Sequence, residues 1–153
     1  MPAEWSPELT LNNDLLDQQH VELFRLLEEA AVALEASAPA AVRSAVAAFS
    51  ESFLEHVAAE EALMEDSLYP ERARHQAAHE LFAADVAQAL RDLEANGPTP
   101  GVAAWLRTRA PEWLRFHIRT NDLPLGVHLV RSAVRSAAGA AQGRRAEPRK
   151  RLS

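Results

Sequence analysis

Cysteine is absent from this 153-residue chain, and that absence removes several kinds of chemistry at once. Disulfides, thiolate zinc sites, iron–sulfur clusters and cysteine nucleophiles all depend on a cysteine sulfur. Any metal ion that the protein holds must therefore be bound by nitrogen and oxygen donors.

Strand signals and long apolar runs are also missing. The chain has only five glycines, few β-branched residues and no sustained alternation of apolar and polar residues. No stretch approaches the length that spans a bilayer, and the first ten residues contain two glutamates and two prolines instead of the apolar core of a signal peptide. We therefore expect an all-α protein of one domain, cytoplasmic and without a membrane partner.

Positive charge is scarce outside the C-terminus. The net charge is −6, but residues 144–151 alone carry +4, so the remainder of the chain carries −10. An acidic body argues against nucleic-acid binding, whereas the basic segment suits an anionic partner. We expect a folded domain over residues 1–139, a disordered tail over residues 140–153, and a monomer.

Helical periodicity is abundant, and stop signals divide it into four segments. Asparagine, proline and glycine place these helices at about residues 14–37, 39–68, 70–95 and 99–120. Short connections between them favour an antiparallel four-helix bundle in up-down-up-down order, with an N-terminal arm and a short C-terminal helix near residues 125–138. Pro111 should kink or split the fourth helix.

Five of the six histidines lie at ordered spacings with each other or with acidic residues. Residues four apart share one helical face, as in the pairs 56/60 and 75/79. In an antiparallel bundle, the starts of the first and third helices meet the ends of the second and fourth, and all of the candidates fall at that end. We therefore expect a metal site whose ligands are His20, His56, Glu60, His75, His79, His117 and Asp122.

Asp122 is the candidate that a regular helix would misplace. Five residues at about 100° each turn it some 140° away from His117. Pro124 has no donor for the carbonyl of Thr120, and it disfavours helical geometry at Leu123. We therefore predict that regular helix ends here and that the chain swings Asp122 back toward the metal.

Seven donors are too many for one tetrahedral zinc ion and suit two six-coordinate ions. Five imidazoles would supply five bonds, two bridging carboxylates four, and one oxo or hydroxo bridge two, which leaves one of twelve positions open. A histidine-rich donor set around two iron ions favours reversible binding of dioxygen over its cleavage. Zinc and manganese accept the same donors, so the metal stays open at this point.

These residues and the sequence around them resemble the hemerythrin family, in its single-domain bacterial form. The resemblance covers about residues 5–130. Val21, Leu68, Pro111 and Pro124 depart from the family pattern, and the arginine-rich C-terminus lies outside it. Its landmarks are Trp5, Leu16-Asp17-Gln18-Gln19-His20, Glu22-Leu23-Phe24, His56-Val57-Ala58-Ala59-Glu60-Glu61, Leu63-Met64, Tyr69-Pro70, His75 to His79, Phe82, Trp113-Leu114, His117-Ile118 and Asp122.

The resemblance implies a role for each candidate. His75, His79 and His117 would bind a fully coordinated iron, His20 and His56 would bind the iron with the open position, and Glu60 and Asp122 would bridge the two. Dioxygen would bind to the second iron in an apolar pocket. Our candidates for the lining of that pocket are Leu23, Phe24, Phe53, Leu63 and Leu114.

Reversible dioxygen binding for storage, delivery or sensing is the function that we expect, and it is not an enzymatic one. The alternative is an enzyme that turns over peroxide or nitric oxide at the same centre with an external reductant. A third reading is a signalling module whose readout is the C-terminus.

Three residues near the motifs are not expected to bind the metal. His128 has no partner spacing, and we expect it to be structural or solvent-facing. Glu61 follows a bridging candidate but points about 100° away on a helix, so a solvated position is expected. Trp5 should pack the N-terminal arm onto the bundle.

Overall fold

A computed structural model describes residues 4–145, and helices account for most of this range. No strand occurs within it, so the prediction of an all-helical bundle is confirmed. The first three long helices are α1 (Asp14–Glu35), α2 (Pro39–Asp66) and α3 (Arg72–Asn96). A fourth helical stretch consists of α4 (Pro100–Ala104), a first π turn (Trp105–Arg109), α5 (Ala110–His117), a second π turn (Ile118–Asp122) and α6 (Leu123–Arg145).

Local sequence explains where the long helices begin and end. The side chain of Asn13 accepts a hydrogen bond from the Leu16 amide and caps α1. Pro39 occupies the first turn of α2, where an amide donor would be unpaired anyway. Gly97 follows α3 with a φ of 68°, which glycine adopts without strain. None of the helices between residues 4 and 145 is both long and apolar enough to cross a membrane.

Aromatic rings form the centre of the hydrophobic core between the helices. Phe82 of α3 stacks on Trp113 of α5 with ring centroids 3.8 Å apart, and Phe53 of α2 meets Phe82 edge-on at 5.1 Å. A smaller apolar cluster of Met64, Tyr69 and Leu125 lies at the turn between α2 and α3. The core therefore joins all of the long helices in one packed unit.

Pro111 and Pro124 of the fourth stretch each follow a π turn with one residue between, and neither splits the helix. Before Pro111, the amide of Ala110 donates to the carbonyl of Trp105, five residues back. The wider turn accommodates Pro111, because proline has no amide hydrogen and its ring would clash with the carbonyl group four residues back in a regular α-helix.

The same arrangement precedes Pro124. Leu123 donates to the carbonyl of Ile118, also five residues back, and keeps helical angles of φ −58° and ψ −46°. As predicted, regular α geometry is interrupted at Asp122, and Asp122 is brought back toward His117. The chain nevertheless stays helical, because a π turn carries it through this position.

α6 is longer than the predicted terminal helix, since it runs from Leu123 to Arg145. It covers the first part of the segment that we expected to be a tail, and residues 146–153 lie outside the described range. His128 has a structural role, because its Nε2 lies 3.0 Å from the carbonyl oxygen of Ser67 and its ring packs against Tyr69.

The segment before α1 lies against the beginning of α6. Leu11 is buried and Trp5 packs partly buried against the core. Asp17 accepts hydrogen bonds from the Leu11 amide and from the Thr10 hydroxyl. The closest approach is at Gly126, where an added Cβ would lie 2.9 Å from the carbonyl oxygen of Leu11.

Replacing Gly126 with alanine is expected to lower the free energy of unfolding by about 1–3 kcal/mol, because the new methyl group must displace the Leu11 backbone. Gly139→Ala in the same helix is the matched control, since a Cβ there meets nothing within 4 Å. This control should be neutral or should raise stability by up to about 1 kcal/mol through helix propensity. Urea unfolding curves measure both effects, and equal stabilities of the two variants would contradict the close approach.

Candidate metal centre

The seven candidate ligands converge in the interior of the bundle. None of the seven is more than 2% exposed. The long helices bring them together from distant parts of the sequence, because each lies on the face that its helix packs inward. α1 supplies His20, α2 supplies His56 and Glu60, α3 supplies His75 and His79, α5 supplies His117, and the second π turn supplies Asp122.

Glu60 directs its two carboxylate oxygens to different histidines. Its Oε1 lies 3.1 Å from Nε2 of His56. Its Oε2 lies 3.1 Å from Nε2 of His75 and 3.1 Å from Nε2 of His79. The carboxylate therefore stands between a histidine of α2 and the histidine pair of α3.

Asp122 repeats this arrangement from the opposite side. Its Oδ2 lies 2.9 Å from Nε2 of His20, and its Oδ1 lies 3.0 Å from Nε2 of both His75 and His117. The π turn makes the contact with His117, because it brings residues five apart onto one face, where α geometry would separate them by some 140°.

The donor atoms thus form two groups that share both carboxylates. Within each group, the donor atoms all lie within 4.8 Å of one another. Groups of nitrogen and oxygen donors at such distances suit divalent cations. The first group is His75, His79 and His117 with Glu60 and Asp122, and the second is His20 and His56 with the same carboxylates.

Many buried nitrogen and oxygen atoms of this cluster have no hydrogen-bond partner among the residues that the structure describes. Within the described range, all four oxygens of Glu60 and Asp122 are buried without a hydrogen bond of good geometry, and so is Nε2 of His75, His79 and His117. Buried ionised groups without partners cost several kcal/mol each. Cations between these atoms would satisfy all of them together, so the residues present fit bound metal.

Electrostatic attraction shifts the pKa values of this site when no cation is bound. Burial lowers the pKa of His75, but its close polar contacts with the carboxylates of Asp122 and Glu60, 3.0 and 3.1 Å away, outweigh burial and raise the pKa to about 9. Burial raises the pKa of Asp122, but the facing His117 and the other histidines hold it well below its usual range. At neutral pH the metal-free site therefore pairs a protonated histidine with ionised carboxylates.

These shifts predict how the metal-free protein responds to pH. A raised pKa means that the folded chain holds the His75 proton more tightly than the unfolded chain. This contribution to stability is complete below the unfolded pKa of about 6.5, and it is lost as the pH rises through about 9. We therefore expect the free energy of unfolding of the chelated protein to fall as the pH is raised across this window.

Urea unfolding of the chelated protein at several pH values measures this decline. His75→Gln is the control, since it removes the titrating group and should flatten the profile. If the free energy of unfolding of the wild type does not change above neutral pH, then His75 is not protonated beside ionised Glu60 and Asp122.

Two amide side chains that the sequence analysis missed contact the outer nitrogens of the histidines. Oε1 of Gln19 lies 2.8 Å from Nδ1 of His56, and the side-chain amide of Asn121 lies 3.0 Å from Nδ1 of His117. Asn121 follows His117 by four residues, and that helical spacing was a usable signal. Gln19 reaches His56 only through the packing of α1 on α2, which no local pattern reports.

Glu61 is partly exposed and does not belong to the cluster of buried donors. Its side chain is 35% exposed, and its Oε1 lies 3.7 Å from Nδ1 of His79. This separation is too long for a hydrogen bond but allows charge attraction. The three-histidine group therefore has a carboxylate behind His79 and an amide behind His117, whereas an amide stands behind His56 of the two-histidine group.

Aromatic rings hold two of the histidines from the core side. The ring of Phe53 meets His79 edge-on at 6.2 Å, and Trp113 stacks on His117 with centroids 4.4 Å apart. Packing of this kind restricts the rotation of both imidazoles. Of the five residues proposed to line a pocket, Leu23, Phe24, Phe53 and Leu114 are buried, and Leu63 packs partly buried against the core.

Gln19→Leu is expected to weaken metal binding about 10–100-fold, because the outer nitrogen of His56 loses the group that orients the ring. Gln18→Leu is the matched control, since Gln18 is exposed on the same turn of α1. Competition against a chelator of known affinity measures both variants. Equal affinities for the two would show that Gln19 does not support the site.

A helical bundle with a buried cluster of imidazole and carboxylate donors defines a class of non-haem metal-binding proteins. Comparison with protein families makes the assignment more specific. The model of the hemerythrin HHE cation binding domain matches residues 11–125. The chain therefore belongs to the hemerythrin family, as its motifs predicted.

Individual relatives agree with this assignment. The bacteriohemerythrin of Stenotrophomonas maltophilia (strain R551-3) is 33% identical over 118 residues, which cover 77% of this chain and 75% of the relative. The bacteriohemerythrin of Pseudomonas paraeruginosa (strain DSM 24068 / PA7) is 32% identical over 121 residues, with coverage of 77% and 75%. That of Pseudomonas aeruginosa (strain LESB58) is 28% identical over 118 residues with the same coverage.

Proposed function

We propose that the seven candidates bind two iron ions joined by an oxo or hydroxo bridge, and that the protein binds dioxygen reversibly for storage, delivery or sensing. The orientation of Glu60 and Asp122 carries this proposal. Each has one oxygen on the three-histidine group and the other on the two-histidine group, which suits a bridging carboxylate. Because the two-histidine group has one histidine fewer, the ion that it binds would have one protein ligand fewer than the other ion.

Two ferrous ions bound in this way would supply two electrons and one open coordination position. The chain contributes a dry environment for that position, since His20 and His56 are buried. The apolar residues Leu23, Phe24 and Leu114 are buried too, and we propose them as part of the pocket lining, with Phe53 and Leu63 completing it. Excluding water suppresses side reactions such as proton leakage to the centre.

Binding is favoured over enzymatic turnover by the scarcity of additional acids and bases. Among the described residues, the fully buried histidines and carboxylates are the seven candidates themselves. All seven are committed to the cluster by their geometry. Turnover of peroxide needs a proton donor held near the reacting atoms, and no histidine or carboxylate outside the cluster is fully buried within the described range.

The same proposal includes an up-down-up-down order for the bundle, with the segment before α1 as an arm. Connections of three residues between α1 and α2, and of five between α2 and α3, favour antiparallel neighbours. So does the pairing of His20, near the start of α1, with His56, in the second half of α2, whose Nε2 atoms are 3.1 Å apart.

Metal content and gas binding test the function together. Wild-type protein reduced without oxygen should contain two irons per chain and should bind oxygen in a form that reverts when oxygen is removed. His56→Ala removes a ligand of the two-histidine group and should abolish the reversible binding of oxygen. His128→Ala, a histidine outside the cluster, is the matched control and should retain it.

Other outcomes separate the alternatives. One ion per chain, or immediate irreversible oxidation on addition of oxygen, would refute oxygen carriage. Sustained consumption of peroxide or nitric oxide with a reductant, lost in His56→Ala and retained in His128→Ala, would favour the enzyme.

A further inference from the structure

The second half of α6 lies outside the packed bundle. From Ala133 to Gly143 every side chain is exposed. An isolated helix of this length is marginal in water, and this one contains two glycines and a serine, which are weaker helix formers than alanine. Arg131 and Arg135 are also four apart, so their like charges oppose helix formation.

An apolar stripe nevertheless runs along the whole of α6. Its members alternate four and three residues apart, the spacing of a coiled-coil seam. Val127, Val130 and Val134 are 50%, 46% and 64% exposed. The stripe consists of Leu123, Val127, Val130, Val134, Ala137 and Ala141.

A groove at the base of α6 continues this stripe. It has a volume of about 450 Å³ and lies between α6 and the segment before α1. Leu123, Val127 and Val130 form one wall, and Leu11 lies on the other. The groove leaves apolar surface open beside the stripe, at the end of the bundle where α6 begins.

Charge separates α6 from the body of the protein. Seven of the sixteen basic residues but only one of the twenty-two acidic residues lie from Leu123 onward, so this segment carries +6 and the preceding residues −12. The base of α6 lies against the turn that follows the exposed Glu65 and Asp66, because Nε2 of His128 lies 3.0 Å from the carbonyl oxygen of Ser67. The strongest match for the basic helix is thus the acidic end of a second copy.

We propose that α6 pairs antiparallel with α6 of a second copy of this chain. The register that matches all six stripe residues sets position 123 opposite 141, 127 opposite 137, and 130 opposite 134. In this register the far end of each helix enters the groove at the base of the other. Charge also favours this pairing, because the segment from Leu123 onward carries +6 and the preceding residues of the other copy carry −12.

The competing partner is an anionic membrane surface, and the chain suits it less. The stripe consists mainly of valine and alanine, without the large aromatic side chains that anchor interfacial helices. The body carries −12 and would be repelled by anionic lipid. A dimer formed in this way would replace the monomer that the sequence analysis expected.

Light scattering and sedimentation across a range of concentrations test the pairing. We expect a dimer that dissociates at high salt, because opposite charges hold its ends together. Val134→Lys should raise the dissociation constant at least about tenfold, a loss of roughly 1.4 kcal/mol. Ser136→Lys adds the same charge on the opposite side of the helix and should leave dimerisation within about threefold of wild type.

Cysteine cross-linking tests the direction, and the chain has no native cysteine to interfere. Val127→Cys combined with Ala137→Cys should form disulfide-linked dimers, whereas each single variant should not. In a parallel pair, each single variant would cross-link to its own equivalent. Val127→Cys with Ser136→Cys is the control and should cross-link poorly.

Three results would overturn the proposal. They are a monomer at all concentrations, efficient cross-linking of the single variants, and binding of monomers to phosphatidylserine vesicles without dimerisation. All of these variants alter exposed positions beyond the core, and unchanged metal binding and helical circular dichroism verify that the bundle stays intact.

Discussion

Two buried carboxylates, Glu60 and Asp122, are the constraint on which the rest of the structure depends. An ionised carboxylate in a dry interior needs compensating charge or hydrogen bonds, and here the nearby groups are imidazoles from α1, α2, α3 and α5. The bundle is therefore held by its apolar core and also by polar groups that are satisfied only when the helices converge. Protons can compensate part of that charge, as the raised pKa of His75 indicates, and cations would compensate it more completely.

Most of this convergence was predictable from the sequence, and the reason is geometric. A four-residue spacing such as that of His56 and Glu60 reports a shared helical face without any knowledge of the tertiary fold. Helix-stop signals then fix which helix ends lie together in a bundle, so the ligands of α1, α2 and α3 follow from local rules. The family assignment rests on the same residues, because the matched region spans residues 11–125 and includes all seven candidates.

The parts that were not predictable depend on where a helix departs from regular geometry or on how helices pack. Proline at position 124 signalled an interruption, but the sequence does not distinguish a broken helix from a π turn, and the structure has the latter. The contact of Gln19 with His56 joins two helices through packing and leaves no periodic trace. The length of α6 was missed because the C-terminal segment was interpreted as a tail from its terminal position, its proline and its lack of apolar periodicity, although alanine and arginine are good helix formers.

The π turns connect the metal centre with the exposed helix. Each widens one turn of the fourth stretch, so that the residues after it face a direction about 100° different from the one that an uninterrupted α-helix would give them. The second π turn brings Asp122 into the cluster, and the same shift sets where Leu123 and Val127 face at the base of α6. The candidate ligand Asp122 and the first stripe residue, Leu123, are adjacent in the sequence, and Pro124 follows them. The presentation of Asp122 and the direction of the stripe are therefore set by a single local feature of the backbone.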